Sequence, residues 1–338
     1  MYVDVALDSI ITYAITVGAS DIHFDPILNG IQVRLRIDGL LTEYMLVDAT
    51  DADLLVNRIK VFSGMDISEK RLPQDGRWEW SVKSYAVTMR VSSLPSLYGE
   101  AIVCRLMGNE GVHKNLLELG MDVELQEKIA ALLKRPYGLI TICGPTGSGK
   151  TATLYAMLRM LNLKETKLIC LEDPVEATIE GAIQIGINEK IGFTFSKGLR
   201  TVLRQDPDSI MIGEIRDNET AQLAVKAALT GHRVITTVHT NTALGVIGRL
   251  VDMGVEPYLL HATLIGSLSQ RLVRRIDSTT HSYQGRLGLF EYLEIPFSDI
   301  DWDHVEQYMF TSLQDSAHLA INSGITTLEE VHRAGILL

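Results

Sequence analysis

Gly144-Pro-Thr-Gly-Ser-Gly-Lys-Thr151 is the stretch that decides the fold of this 338-residue chain. Two glycines separated by four residues and followed by Lys and Thr make the complete P-loop pattern, whose backbone N–H groups surround a phosphate chain. Lys150 can reach the outer phosphates, and the Thr151 hydroxyl can bind a magnesium ion. The residues predicted to contact a nucleotide are Gly144, Pro145, Thr146, Gly147, Ser148, Gly149, Lys150 and Thr151.

The residues on both sides of the loop support this interpretation. Tyr137–Cys143 is a short apolar run typical of a buried strand, and apolar residues recur at helical spacing from the loop to Leu161. A strand, a glycine loop and a helix N-terminus together form an anion site. Further β-rich runs at 167–171, 209–212 and 234–238 alternate with helical patterns. This alternation predicts an α/β fold with a parallel sheet.

Composition argues against several classes of protein. The chain is 46% hydrophobic and 22% charged, which is ordinary for a folded soluble protein. No apolar run approaches ~18 residues and the N-terminus lacks signal-peptide features, so any membrane role is expected to run through a protein partner. A net charge of −11 argues against direct nucleic-acid binding. Cys104, Cys143 and Cys170 are far apart, which predicts reduced, buried thiols.

The first 107 residues predict a separate, smaller α+β domain. Apolar residues between Leu7 and Ile15 share one helix face. Residues 31–37 alternate strictly between apolar and polar side chains and are followed by Asp38-Gly39, which is a strong hairpin signal. Further strands are predicted at 78–82, 85–91 and 101–107. The predicted division is residues 1–107, a linker over 108–120, and a P-loop domain with a helical C-terminal region over 121–338.

Hydrolysis of a nucleotide requires acids and positive charge beyond the phosphate loop. Glu172 ends the apolar run Leu168–Glu172 and is a candidate water-positioning base. Glu214 follows a second strand, where a Walker B carboxylate would hold Mg²⁺ through water, although Gly-Glu replaces the usual Asp. His232 and His239 bracket a third strand and suggest a γ-phosphate sensor. Structural roles for all four residues remain as alternatives.

Together these segments resemble the secretion traffic ATPases of type II secretion and type IV pilus assembly. They match that family's Walker A loop, Asp box, Walker B box and His box in order. Further matches extend over nearly the whole chain. They are Ala19-Ser-Asp-Ile-His23, Arg34-Leu-Arg-Ile-Asp-Gly39, Leu72-Pro-Gln-Asp-Gly-Arg77, Leu203-Arg-Gln-Asp-Pro-Asp208, Gln270-Arg-Leu-Val-Arg274 and Gly285-Arg-Leu-Gly-Leu-Phe-Glu291.

The resemblance implies a hexamer whose subunits join an N-terminal PAS-like domain to a RecA-like ATPase domain. It implies ATP and Mg²⁺ as cofactors, Thr151 and Glu214 as metal ligands, and hydrolysis to ADP and phosphate. It also implies that Arg90 and Arg105 reach the nucleotide, since a guanidinium binds phosphate oxygens bidentately. The implied partners are an integral-membrane platform protein and, indirectly, a pilin or pseudopilin. The implied location is the cytoplasmic face of the membrane.

The sequence departs from the family at several places. Residues 275–284 contain no cysteine where many members carry a four-cysteine zinc motif, so no such zinc site is expected. No counterpart of the long N-terminal docking extension of many members is expected, and the compact form resembles the short competence-pseudopilus ATPases. Asn188–Phe195 resembles the assembly branch, which leaves a pilus retraction ATPase as the nearest alternative. A DNA-translocating motor and a nucleotide-gated scaffold are further alternatives.

Overall fold

The computed structural model describes residues 2–82, 85–107, 111–296, 298 and 300–338, with side chains from residue 6 onward. The chain divides into two compact units, Met1–Gly108 and Asn109–Leu338. Both mix helices with sheets, as the sequence predicted.

The first unit is an antiparallel sheet covered by two helices on one face. Its elements in chain order are α1 (Tyr2–Thr16), β1 (Ala19–Ile27), β2 (Gly30–Ile37), β3 (Leu40–Asp48), α2 (Ala49–Phe62), β4 (Gln74–Val82), β5 (Tyr85–Ser96) and β6 (Gly99–Met107). The strand order is β3-β2-β1-β6-β5-β4. The buried face of the sheet shares one apolar core with α1 and α2, which includes Ile22, Val33 and Trp80. The other face therefore carries the polar residues of each strand.

The Asp38-Gly39 hairpin forms as predicted. Both residues have positive φ angles, 49° and 86°, and Ile37 pairs with Leu40 across the turn. Two consecutive positive φ angles are required by a two-residue turn of type I′, which asparagine, aspartate and glycine adopt most readily. This turn fixes the register that places the apolar residues of β2 toward the helices.

The second unit is built around an eight-stranded sheet. Its elements from residue 123 to residue 229 are α3 (Val123–Leu133), β7 (Gly138–Cys143), α4 (Lys150–Arg159), β8 (Leu168–Glu172), β9 (Ile183–Gly186), α5 (Phe195–Val202), β10 (Ser209–Ile212) and α6 (Asn218–Leu229). The remainder are β11 (Arg233–Val238), α7 (Gly245–Asp252), α8 (Pro257–Thr263), β12 (Leu264–Ile276), β13 (Tyr283–Glu294), β14 (Met309–Thr311), α9 (Leu313–Asn322) and α10 (Leu328–Arg333). Short 3₁₀ helices lie at Glu189–Ile191 and Trp302–Tyr308.

The strand order is β14-β13-β12-β7-β11-β10-β8-β9. The strands from β12 to β9 in this order pair in parallel, and β13 and β14 add antiparallel partners at one end. Helices cover both faces: α3 and α4 belong to one apolar core, and α5 to α8 belong to the other. This is the predicted α/β arrangement, in which the carboxyl ends of the parallel strands form one edge where ligands bind.

The predicted linker 108–120 is not a free connection over its described part. Val112 and Leu116 are buried in the core that contains α3 and α4, and the N–H of Gly288 donates to the carbonyl of Leu119 at 2.8 Å. Residues 111–120 are therefore held against the second unit. Residues 108–110 lie outside the described part of the chain.

Candidate active site

The phosphate loop joins β7 to α4 through glycines that no other residue could replace without strain. Gly144, Gly147 and Gly149 have φ angles of 144°, 78° and 89°. A Cβ on Gly144 would lie 2.5 Å from the Ser148 hydroxyl oxygen and 2.6 Å from the carbonyl oxygen of Gln270. The loop thus holds a conformation that favours glycine.

The loop has polar groups ready for an anion. Lys150 is only 8% exposed, and its Nζ donates to the carbonyls of Gly144 and Pro145, each at 2.9 Å. Burial lowers the pKa of this ammonium, which the carboxylate of Glu214 partly opposes. The Ser148 hydroxyl is buried without a hydrogen-bond partner among the described residues. Phosphate oxygens at the helix N-terminus would satisfy both groups, so the loop fits a nucleotide phosphate.

Glu214 and His239 meet at the carboxyl edge of the sheet. Glu214 follows β10, and His239 follows β11, the neighbouring strand. His239 Nε2 lies 3.2 Å from one carboxylate oxygen of Glu214, and Arg216 Nη2 lies 2.5 Å from the other. The Glu214 side chain is 17% exposed, so the carboxylate remains accessible to solvent at this edge.

Glu172 ends β8 at the same edge but is more deeply enclosed. It is 3% exposed. The Tyr155 hydroxyl donates to its Oε2, and Gln184 Nε2 donates to its Oε1 at 2.9 Å. Burial raises the pKa of Glu172, while these two hydrogen bonds act in the opposite direction. A carboxylate with a raised pKa is a stronger base, which is compatible with proton abstraction.

His232 does not lie with these residues. It precedes β11, whose first residue pairs with Gly138 at the start of β7, whereas the phosphate loop follows the end of β7. The six-residue strand separates His232 from the loop by about 20 Å. Its Nδ1 lies 3.0 Å from the carbonyl of Ala227 at the end of α6, a helix-capping contact. The structure therefore brings only His239 of the two histidines to the site of its own subunit.

Arg90 and Arg105 lie in the first unit. They are direct cross-strand neighbours on β5 and β6, and Arg77 of β4 pairs with Arg90 in the same row. Arg105 Nε donates to Asp21 at 2.8 Å, and this hydrogen bond is one of the interactions that lower the pKa of Asp21 despite its burial. The polar face of this sheet thus presents adjacent guanidinium groups.

The family model for type II/IV secretion system proteins matches residues 2–333. This chain belongs to that family.

Family relatives are similar over most of the chain. Type II secretion system protein E of Klebsiella pneumoniae is 50% identical over 270 residues, which cover 80% of this chain and 54% of the relative. Type II secretion system ATPase E of Vibrio cholerae is 40% identical over 372 residues, covering 97% and 74% of the two chains. This chain thus spans about half the length of the Klebsiella relative.

Solved structures share the fold. The ATPase DotB of Legionella pneumophila is 23% identical with a TM-score of 0.77, and the comparison covers 97% of this chain and 95% of that one. The pilus retraction motor PilT with bound ADP is 29% identical with a TM-score of 0.68, covering 96% and 95%. Among the described residues, no helix combines the length and apolar character needed to cross a bilayer.

Sequence patterns assigned no role to four polar residues around the family's boxes, although Gln270 lies in a segment that matches the family. Arg216 is two residues after Glu214 and could have been noticed there. Tyr155 looks like an ordinary apolar position of α4, and Gln184 lies in a short strand without a motif. Gln270 of β12 accepts from the Thr153 hydroxyl at 2.6 Å directly beside the loop, while its Nε2 has no partner among the described residues. All but Arg216 depend on contacts distant in sequence.

Proposed function

We propose that this chain is a subunit of a homohexameric, cytoplasmic ATPase. It hydrolyses ATP to drive assembly of a type IV pilus, a competence pseudopilus or a type II secretion pseudopilus. The observation that carries this proposal is the phosphate loop lying at the same sheet edge as the Glu214–His239 pair. Family membership supports the broader class of secretion ATPase.

The loop would bind the phosphates of ATP. Backbone N–H groups at the start of α4 point toward an anion, and the helix dipole favours negative charge there. Lys150 would exchange the carbonyls of Gly144 and Pro145 for phosphate oxygens. Because two carbonyls hold the ammonium in place beforehand, little side-chain entropy is lost when it changes partner.

Thr151 and Glu214 would hold the magnesium ion, Glu214 partly through water. A hydroxyl and a carboxylate are oxygen ligands of the kind that Mg²⁺ prefers, and Thr151 is exposed in the first turn of α4. When bound, the ion neutralises charge on the phosphate oxygens. His239 and Arg216 fix both carboxylate oxygens of Glu214 and so orient this residue.

Glu172 would position and deprotonate the attacking water, and Arg90 and Arg105 would add positive charge at the γ-phosphate. Arg90 and Arg105 occur as a neighbouring pair, which matches the need for several charges at one transition state. His232 is not part of this proposal for a single subunit, because it lies near the opposite edge of the sheet.

The proposed partners are an integral-membrane platform protein and, through it, a pilin or pseudopilin. The relatives named type II secretion system protein E support a role in secretion. The similarity to the retraction motor PilT keeps retraction as the alternative direction of work. The acidic balance of the chain, −11, disfavours a motor that grips nucleic acid.

Magnesium-dependent release of phosphate from ATP tests the proposal directly. We expect turnover that rises with ATP to saturation and is unchanged by added duplex DNA. DNA-stimulated turnover would favour the translocating motor. Nucleotide binding by a folded hexamer without any turnover would favour a nucleotide-gated scaffold and contradict the proposed activity.

A further inference from the structure

Tyr155, Glu172 and Gln184 form a closed hydrogen-bonded cluster, which we call the Glu172 clamp. The Tyr155 hydroxyl donates to one carboxylate oxygen, and Gln184 donates to the other at 2.9 Å. Tyr155 is fully buried although it carries a polar group. Each oxygen of Glu172 is therefore held by a donor from a different element, α4 on one side and β9 on the other.

The clamp also fixes the backbone that follows β8. The N–H groups of Glu176 and Ala177 donate to the Tyr155 hydroxyl oxygen at 3.2 and 3.3 Å. Gln184 donates to the carbonyl of Ala177 and accepts from the N–H of Ile179, both at 2.8 Å. The Tyr155 hydroxyl thus has one acceptor and two donors, so its proton is directed toward Glu172.

We propose that Tyr155 is a positioning residue that couples the phosphate-loop helix to Glu172. This inference rests on the proposed function, because it assigns Tyr155 to the orientation of the water-positioning carboxylate. Tyr155 lies five residues after Lys150, which is about 7.5 Å along the helix. The hydroxyl that holds Glu172 therefore belongs to the same helix as the phosphate-loop lysine.

The charged and polar groups around Glu172 determine the direction in which its pKa shifts when the Tyr155 hydroxyl is lost. The neighbouring Glu176 carboxylate adds to burial in raising the pKa of Glu172, and the donors Tyr155 and Gln184 lower it. The Cys170 thiol precedes it on β8, and its pKa is raised chiefly by burial and also by the charge of Glu172. A hydroxyl that donates to a carboxylate stabilises the ionised form. Loss of the Tyr155 hydroxyl therefore raises the pKa of Glu172.

Tyr155→Phe removes this hydroxyl and keeps the ring. Because the base must be ionised to accept a proton, we expect the acidic midpoint of the kcat–pH profile to move up by about one pH unit. The KM for ATP changes less than about threefold, since the phosphate cradle is untouched. Tyr292→Phe is the matched control: Tyr292 is equally buried in the same unit, but its hydroxyl has no partner among the described residues.

A second readout does not depend on turnover. Glu172 has a raised pKa in the folded protein, so its contribution to stability falls as pH rises from the unfolded pKa to the folded one. In urea unfolding experiments, the free energy of unfolding should fall more between pH 5 and pH 8 in Tyr155→Phe than in wild type. In a Glu172→Gln background, Tyr155→Phe should leave the pH dependence unchanged, because the titrating partner is gone.

Gln184→Leu removes the other donor to Glu172 and should also move the acidic midpoint of the kcat–pH profile up. This second variant keeps the test valid if Tyr155→Phe folds poorly. An acidic midpoint in both variants equal to that of wild type and Tyr292→Phe would overturn the inference. Lower stability with an unmoved midpoint would show that the cluster only supports the fold. A wild-type protein without ATP turnover, in contrast, contradicts the proposed function, and the unfolding experiment still tests the Tyr155–Glu172 coupling.

Discussion

Lys150 carries a mostly buried positive charge, and within the described part of the chain its ammonium donates hydrogen bonds to two loop carbonyls. Replacing it with alanine removes the charge that would meet the outer phosphates, so we expect sharply weaker nucleotide binding and loss of turnover. Fluorescent ADP titration and phosphate release measure the two separately. Lys128→Ala, which removes a more exposed lysine on α3 paired with Glu294, is the control and should leave both unchanged. Wild-type affinity in Lys150→Ala would remove this residue from the site.

Arg90 and Arg105 are exposed strand residues. Arg90 is expected to contribute little to folding, whereas Arg105 also pairs with the buried Asp21, so the melting of each variant is measured beside its turnover. If they add charge at the transition state, alanine at either position lowers kcat by roughly 10²-fold with a smaller change in ATP affinity. Lysine rescues poorly because it cannot form a bidentate fork. Arg34→Ala breaks a comparable ion pair with Asp25 on the same sheet and serves as control. Turnover at the wild-type rate from both alanine variants would confine the site to the second unit.

At the scale of elements, the turn from β7 into α4 is where sequence and geometry agree most closely. Gly149 is the N-cap residue of α4 with a φ of 89°, and a Cβ there would lie 2.8 Å from Gln270 Nε2. Gly231 has a similar φ of 101° with no atom within 4 Å of its Cβ position. Gly231→Ala should therefore lower the free energy of unfolding by about 1 kcal/mol from backbone strain alone. Gly149→Ala should lower the free energy of unfolding by more than Gly231→Ala does, as measured by denaturant unfolding. It should also weaken ADP binding, as measured by nucleotide titration. Equal effects of the two changes on ADP binding would contradict the fit of the loop.

Elements with strong local signals could be predicted from the sequence, whereas contacts between distant segments could not. The phosphate loop and the Asp38-Gly39 hairpin depend on backbone angles that a few residue types favour, and both formed as expected. The sequence places His232 and His239 beside the same strand, but His232 precedes β11 and His239 follows it, so they lie at opposite ends. The strand β12 was missed because polar residues such as Ser269 are buried within it and interrupt the apolar pattern. Tyr155 and Gln184 became visible only when folding brought them to Glu172.

At the scale of the whole molecule, the proposed ring predicts a dependence of activity on concentration. Contacts between different surfaces of identical subunits are heterologous, and they form a ring when the rotation between neighbouring subunits closes. Specific ATPase activity should rise with protein concentration and level off as rings saturate, in parallel with the hexamer fraction measured by light scattering. Full specific activity at dilutions where only monomer is present would contradict a site that requires the ring.

The central claim is that ATP is hydrolysed at the sheet edge shared by the phosphate loop and Glu214. Single-turnover hydrolysis by Glu214→Gln, measured beside nucleotide affinity, tests it most directly, because glutamine keeps the shape of the side chain and removes its charge. Glu219→Gln, an exposed glutamate paired with Arg200, is the control. We predict that Glu214→Gln binds ATP with affinity within about tenfold of wild type and loses at least about 10²-fold in turnover. Turnover equal to that of wild type and Glu219→Gln would contradict the account.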